Sequence, residues 1–236
     1  MRGTFRMLAL SIALGSVAQA RPYKRQAGGH VITSCTVPNT VAITFDDGPY
    51  TWTRTIVDKL DAAGAKATFF VNGNNFGSIY SGDNPSNLKY AYEQGHQIAS
   101  HTWSHPHLPS LSESQTRDEF TKINTAIQEI TGAVPAFIRP PYGEYSDTTQ
   151  IVAAGLGQTI VTWDFDSGDT AGASVSQSLD AYRERVNQSP NSILTLNHET
   201  HSSTANELLD EVLQLFQGTG YKLVTVAECV GMTPYL

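Results

Sequence analysis

Positive charge is in short supply. Across 236 residues, 15 Lys and Arg stand against 22 Asp and Glu, a formal net charge of −7. A nucleic-acid binder would carry a basic stripe, so that class of partner is excluded. The same balance suits a neutral or cationic ligand, or simply keeps the chain in solution. Long apolar runs are missing too. The longest candidate, Met7 to Val17, falls well short of the ~20 residues a bilayer span needs, and no other segment could span. Internal repeats and low-complexity tracts are absent, and cysteine is down to two, Cys35 and Cys229.

The N-terminus carries the pattern of a secretory signal over residues 1–20. Arg2 and Arg6 supply a basic start, Met7 to Val17 an apolar core, and Ala18-Gln19-Ala20 a small-residue cleavage site. The next residues, Arg21 to Arg25, end in the pair Lys24-Arg25, which reads as a second processing site or as solvated charge. The mature chain is therefore expected to begin near Gln26 or Gly28, and the protein to be extracellular. In an exported chain two cysteines read as one disulfide, Cys35–Cys229, with two buried free thiols as the alternative. That bridge encloses nearly the whole domain, and chain entropy gives it about 4–5 kcal/mol.

With 40% apolar content the length suits one well-cored domain and is short for two. Short β-branched or aromatic runs recur at Val41–Phe45, Ala67–Val71, Gln97–Ser100, Ala136–Ile138, Thr159–Trp163, Ser192–Leu196 and Lys222–Val226. Helical spacing lies between them. Ile56, Leu60 and Ala63 share a face before Gly64, and Phe120, Ile123, Ile127 and Ile130 share one before Gly132. Leu208, Leu209, Val212, Leu215 and Phe216 do so before Gly218. Weaker helical patterns fall at 86–94, 146–154 and 174–187.

This βα alternation predicts an α/β fold with a parallel sheet, either open and doubly wound or closed. Polar, chemistry-bearing residues follow five of the runs: Asp46 and Asp47, His101, Arg139, Asp166, and His198. A barrel gathers all its strand ends at one mouth, whereas an open sheet offers a single crevice. The expectation is a distorted (β/α) barrel with seven or eight strands, stapled at its seam by the cysteine bridge. The loop Asn72–Ser86, rich in Asn, Gly and Ser, lies at the strand-end side and reads as cleft-shaping or as variable surface.

His101 and His105 at i, i+4 would point the same way on one helical turn, which Pro106 ends. With a carboxylate from Asp46-Asp47 they make a two-imidazole, one-carboxylate set. Such a set leaves positions open for water and substrate, as in a catalytic rather than a structural metal site. One acid is then left over to take a proton. Gly48-Pro49 would turn the backbone so that both acids reach the site, although Asp-Asp-Gly-Pro is also good turn chemistry. The prolines after Arg139 fix its direction, so it can hold a carboxylate ionised or else simply cap a turn. His198 follows an apolar run, and the aspartates of Trp163-x2-Asp166-x2-Asp169 could keep it protonated opposite the nucleophile.

Phe45-Asp46-Asp47-Gly48-Pro49, His101-x3-His105, Arg139-Pro-Pro-Tyr-Gly143, Trp163-x2-Asp166-x2-Asp169 and Leu194-x-Leu196-x-His198 occur in the order found in polysaccharide deacetylases, the family 4 carbohydrate esterases. The resemblance spans residues 39–230 and makes 39–236 the catalytic domain, with 21–38 a short N-terminal segment, too short for an added carbohydrate-binding module. The layout is similar to that of secreted fungal chitin deacetylases. The resemblance implies zinc, or another divalent ion such as cobalt, on Asp47, His101 and His105. It implies Asp46 as general base oriented by Arg139, and His198 as general acid tuned by Asp166. The Tyr142 N–H would face the oxyanion, and Trp163 and Leu196 would shelter the acetyl methyl. The implied substrate is chitin or its oligomers acted on by a monomer, with xylan O-acetyl esters or peptidoglycan as alternatives. An inactive wall-binding protein is the remaining reading. The family often has Trp where this chain has Thr170, which leaves the sugar-stacking platform unassigned.

Overall fold

Residues buried on both faces of a parallel strand read as continuous apolar runs, and the three earliest runs form strands where they are predicted. The structure is a computed structural model and describes residues 30–236. The signal segment 1–20 and the pair Lys24-Arg25 lie outside the described residues. The strands are β1 Val31–Ile32, β2 Thr40–Gly48, β3 Ala67–Val71, β4 Gln97–Ser100, β5 Phe137–Ile138, β6 Thr159–Val161, β7 Phe165–Asp166, β8 Ser192–His198 and β9 Lys222–Leu223. The helices are α1 Thr53–Ala62, α2 Asn84–Glu93, α3 Glu113–Thr131, α4 Asp147–Gly155, α5 Val175–Asn187, α6 Leu209–Phe216 and α7 Val226–Val230.

The pairings between these strands are all parallel, in the order β1-β6-β5-β4-β3-β2-β8-β7, with β9 against β2. The curl is completed by one stretch of chain. It pairs β5 and β1 as β6, then runs on to pair β8 as β7, with the Asp164 N–H donating to Leu194 O on the way. The result is the distorted α/β barrel that the sequence predicts.

Strand periodicity divides the packing. Val41, Ile43, Phe45, Phe69 and Ile98 face outward against the helices. Ala42, Phe70, Ala99, Phe137, Val161 and Leu194 face inward and pack with Val226, Ala227 and Cys229. Helix α7 plugs the end of the barrel away from the strand C-termini. The inward side chains of β3 and β4 cap it: Val226 N–H donates to Thr68 Oγ1 (2.9 Å) and Ala227 N–H to Gln97 Oε1 (2.9 Å).

Three expectations shift. The run Lys222–Val226 is only two residues of strand, because Thr225 and Glu228 form a capping box that starts α7 at Val226. The chain ahead of residue 39 is not a detached piece over its described residues, since β1 pairs β6 and the Thr36 and Val37 N–H groups donate to Cys229 O. The Cys35–Cys229 bridge is formed, but the first and last runs do not flank the seam, for β2 lies between β3 and β8. The edge strands of the order are β1 and β7, and across this seam Ser192 Oγ at the start of β8 donates to Cys35 O (3.2 Å), just after β1. The bridge therefore ties the segment after β1 to the plug helix α7.

Candidate active site at the strand C-termini

Two adjacent residues on a strand point to opposite faces, yet Asp46 and Asp47 both line the mouth. The cause is a β-bulge inside β2 and not the Gly-Pro turn expected. Asp46 pairs Phe70 and Gly48 pairs Val71, so Asp47 is the extra residue, in the left-handed region at φ 73°. The histidine pair converges in a similar way. No helix forms between them; instead Thr102 (φ 72°) and His105 (φ 57°) bend the chain after β4. Pro106 disfavours helical backbone at His105, and the left-handed residues bring the rings to 4.9 Å between centroids. The loop Asn72–Ser86 contributes directly: Asn72 Nδ2 donates to the His101 and Thr102 carbonyls, and Asn75 Nδ2 to Asp47 Oδ1 (3.1 Å).

Asp47, His101 and His105 offer ligand atoms that all lie within 4.8 Å of one another. His101 Nδ1 donates to Arg139 O (2.7 Å), which leaves Nε2 with its lone pair toward Asp47 Oδ1, 3.7 Å away. Arg139 is buried in the barrel interior, its guanidinium 4.1 Å over the Phe70 ring. Nη1 donates to Asp46 Oδ1 (2.8 Å) and Thr44 Oγ1 (2.6 Å), and Nη2 to Thr162 O (3.0 Å). His198 ends β8 as the direct register partner of Asp46. The pocket between these groups has a volume of about 380 Å³ and is also lined by Tyr142, Trp163, Asp166, Thr170 and Leu196. In the Arg139-Pro-Pro turn the Gly143 and Glu144 N–H groups bond back to Pro140 O and Pro141 O, and the prolines have none. The Tyr142 N–H is therefore the turn's remaining donor. The Tyr142 ring stacks on His107 with centroids 4.1 Å apart, forming the rim.

The acid against His198 is Asp169, not Asp166. Asp169 Oδ1 lies 2.8 Å from His198 Nδ1, while Oδ2 accepts from His198 N–H (2.7 Å) and Thr204 Oγ1 (2.8 Å). Asp166 is exposed on β7 at the pocket edge and accepts the Gly168 N–H (2.8 Å). The left-handed turn at Gly168 (φ 74°) bends the chain so that the second aspartate meets His198 at the end of β8. Sequence reasoning also passed over Thr44, Asn75, Thr204 and the fully buried Glu199. The glycine between the two aspartates was the available signal for Asp169.

The family model for polysaccharide deacetylase matches residues 33–161. The chain belongs to the polysaccharide deacetylase family. A chitin deacetylase from Pestalotiopsis sp is 36% identical over 92% of this chain and 74% of that protein. A probable peptidoglycan-N-acetylglucosamine deacetylase from Arthroderma benhamiae is 41% identical over 86% of this chain, which spans only 46% of that relative. The solved chitin deacetylase of Colletotrichum lindemuthianum superposes with a TM-score of 0.83 at 33% identity, covering 88% of this chain and 94% of the other.

The electrostatics of this polysaccharide deacetylase fit a divalent cation. Burial pushes the Asp46 carboxyl up against the pull of Arg139. Burial and then the Asp46 charge push Asp47 up to about 6. Burial lowers His101 to about 3, and burial with the neighbouring His101 lowers His105 to about 4, so both imidazoles are neutral donors. Two crowded carboxylates beside two neutral imidazoles are what a divalent cation would relieve, and the hard-and-borderline donor set is one that zinc accepts. His198 is the reverse case. Burial lowers it, but the Asp169 hydrogen bond and the Asp46, Asp169 and Asp47 charges outweigh burial, and its net value is raised. Asp169 falls in turn, the bonds from His198 outweighing its burial.

Proposed function

We propose that this chain is a secreted, zinc-dependent N-deacetylase of N-acetylglucosamine residues in chitin or its oligomers, acting as a monomer. The observation that carries the reading is the pairing of Asp46 and His198 on adjacent strands beside the Asp47/His101/His105 set. One is a carboxylate oriented by a buried arginine, the other an imidazole held toward its charged form.

A divalent ion on Asp47, His101 and His105 would supply Lewis acidity to the acetamide carbonyl and acidify the attacking water. Asp46 takes the proton from that water as its oxygen adds to the carbonyl carbon. Arg139 fixes the Asp46 carboxylate in place for this transfer. The Tyr142 N–H donates to the oxygen that gains negative charge. His198 then gives its Nε2 proton to the amide nitrogen as the C–N bond breaks, releasing acetate and a glucosamine unit. Asp169 holds the opposite ring nitrogen, so Nε2 is the one aimed into the pocket. Trp163 and Leu196 form the apolar wall for the methyl group.

Secretion is supported by the formed disulfide, which persists in oxidising compartments. Among the described residues no helix is long and apolar enough to cross a membrane. The deciding experiment is acetate release from chitin oligomers, peptidoglycan and acetylated xylan, each with and without added zinc. Turnover of the chitin oligomers that rises with zinc is expected; release from peptidoglycan or xylan alone would replace the substrate assignment.

A further inference from the structure

Beneath the acid pair lies a carboxyl that the proposed chemistry does not use. Glu199 is fully buried, and its N–H donates to Asp46 O (3.2 Å). Its side chain passes under Gly48 so closely that a Cβ on that glycine would fall 1.5 Å from Oε1 and 2.1 Å from Cδ. Oε2 accepts from Thr53 Oγ1 at the first turn of α1, and Thr53 Oγ1 also accepts from the Tyr50 N–H (2.9 Å). Oε1 has no hydrogen-bond partner. A buried carboxyl with an orphaned oxygen is costly. An apolar side chain of similar length would fill the same space without that cost. What Glu199 supplies must therefore lie in its bond to Thr53 and its contact with Gly48.

Those contacts bear on the bulge. A left-handed aspartate is strained, and such a residue persists only where its surroundings over-determine it. Asn75 holds the Asp47 carboxylate from the loop side. From below, Glu199 links Gly48, the residue that follows the bulge, to the start of α1. Gly48 itself does not lie in the left-handed region. Its lack of a side chain answers to the space Glu199 occupies and not to backbone conformation.

We propose that Glu199 is a positioning residue, a strut between Gly48 and Thr53 that holds the β2 bulge so that Asp47 faces His101 and His105. The inference rests on the reading of those three residues as a metal cradle. The test is zinc affinity of the metal-free full chain, measured by competition with a chromophoric chelator. Glu199→Ala should weaken zinc by about 10- to 100-fold, the range for a supporting shell, while Glu199→Gln stays within about threefold. Gly48→Ala should weaken zinc as well, since its methyl meets the carboxyl. The double variant Gly48→Ala/Glu199→Ala should bind more tightly than Gly48→Ala alone, because the obstructing carboxyl is gone. Wild-type affinity in Glu199→Ala, or a double variant no better than Gly48→Ala, would overturn the strut. If Glu199→Ala does not fold, Glu199→Leu takes its place, since it keeps the bulk and loses the bond to Thr53: weaker zinc is expected, and wild-type affinity overturns the strut. A wild-type chain that binds no zinc overturns the cradle reading, and the strut with it.

Discussion

Asp169→Asn removes the charge behind His198 and leaves a side chain of nearly the same shape. Both Asp169 oxygens act as acceptors, Oδ1 for the His198 ring and Oδ2 for the His198 N–H and Thr204. An amide cannot replace them without pointing its NH2 at a donor. A hydrogen bond to a charged group contributes about 1.5–3 kcal/mol, which is about 1–2 pKa units at 1.36 kcal/mol each. His198 sits above the ordinary histidine value because that bond and three nearby charges outweigh burial. Without the bond its pKa should drop by that amount. The sign follows: the protonated acid is lost at lower pH, so the alkaline fall of kcat/KM moves to lower pH. Above the wild-type pKa, where both forms have lost most of the acid, acetate release should be down about 10- to 100-fold. Asp166→Asn is the comparison: Asp166 lines the pocket edge but accepts the Gly168 N–H and has no bond to His198, so its replacement should leave the alkaline limb in place. The assay is acetate release from a soluble oligomer across the pH range. An alkaline limb that stays in place in Asp169→Asn, or that moves only in Asp166→Asn, would refute the assignment.

Asp46→Asn should cut turnover by about 10²- to 10⁴-fold while zinc affinity persists, whereas His105→Ala should lose both. Isothermal titration beside the activity assay separates the two roles. Replacing Cys35 and Cys229 by serine should lower stability by about 2–5 kcal/mol for a crosslink across 194 residues, read from denaturant midpoints. Burial pushes Glu199 from 4.5 up to about 8. The folded metal-free protein thus holds a proton that the unfolded chain has released. The associated stability is present below the unfolded value and is lost as pH rises through about 8. Glu199→Gln lacks this loss, so its Tm relative to wild type should climb between acidic and alkaline buffers.

The strands whose residues are buried on both faces were legible, because β2, β3, β4 and β8 are apolar runs of ordinary length. β1 and β7, at two residues each, carry no periodicity to find. The start of helix α7 was hidden at the end of a β-like string, Lys222-Leu-Val-Thr-Val226, although the Thr225/Glu228 capping box was there to be read. The ligand candidates converge as expected, but by means that pattern reasoning does not reach. Bulges and left-handed residues arise from tertiary context and not from local propensity, so the convergence of Asp46 with Asp47, and of His101 with His105, could not be derived from spacing. Choosing between Asp166 and Asp169 failed for the same reason: the Gly168 turn reverses which aspartate faces β8.

Six non-glycine residues among those described adopt positive φ; three of them, Asp47, His105 and Tyr142, line the pocket, and a fourth, Thr102, directly follows the pocket residue His101. Each such conformation costs on the order of 1 kcal/mol or more, and Thr102, being β-branched, is the least suited. The strand scaffold requires none of them. Catalytic geometry and thermal robustness are thus in opposition at these positions. His105→Gly is expected to relax the backbone and raise Tm while removing one of the three residues proposed to hold the metal. Stabilising this enzyme by drifting toward relaxed backbone would therefore dismantle the pocket first, so a gain in heat tolerance has to come from the helices outside the barrel.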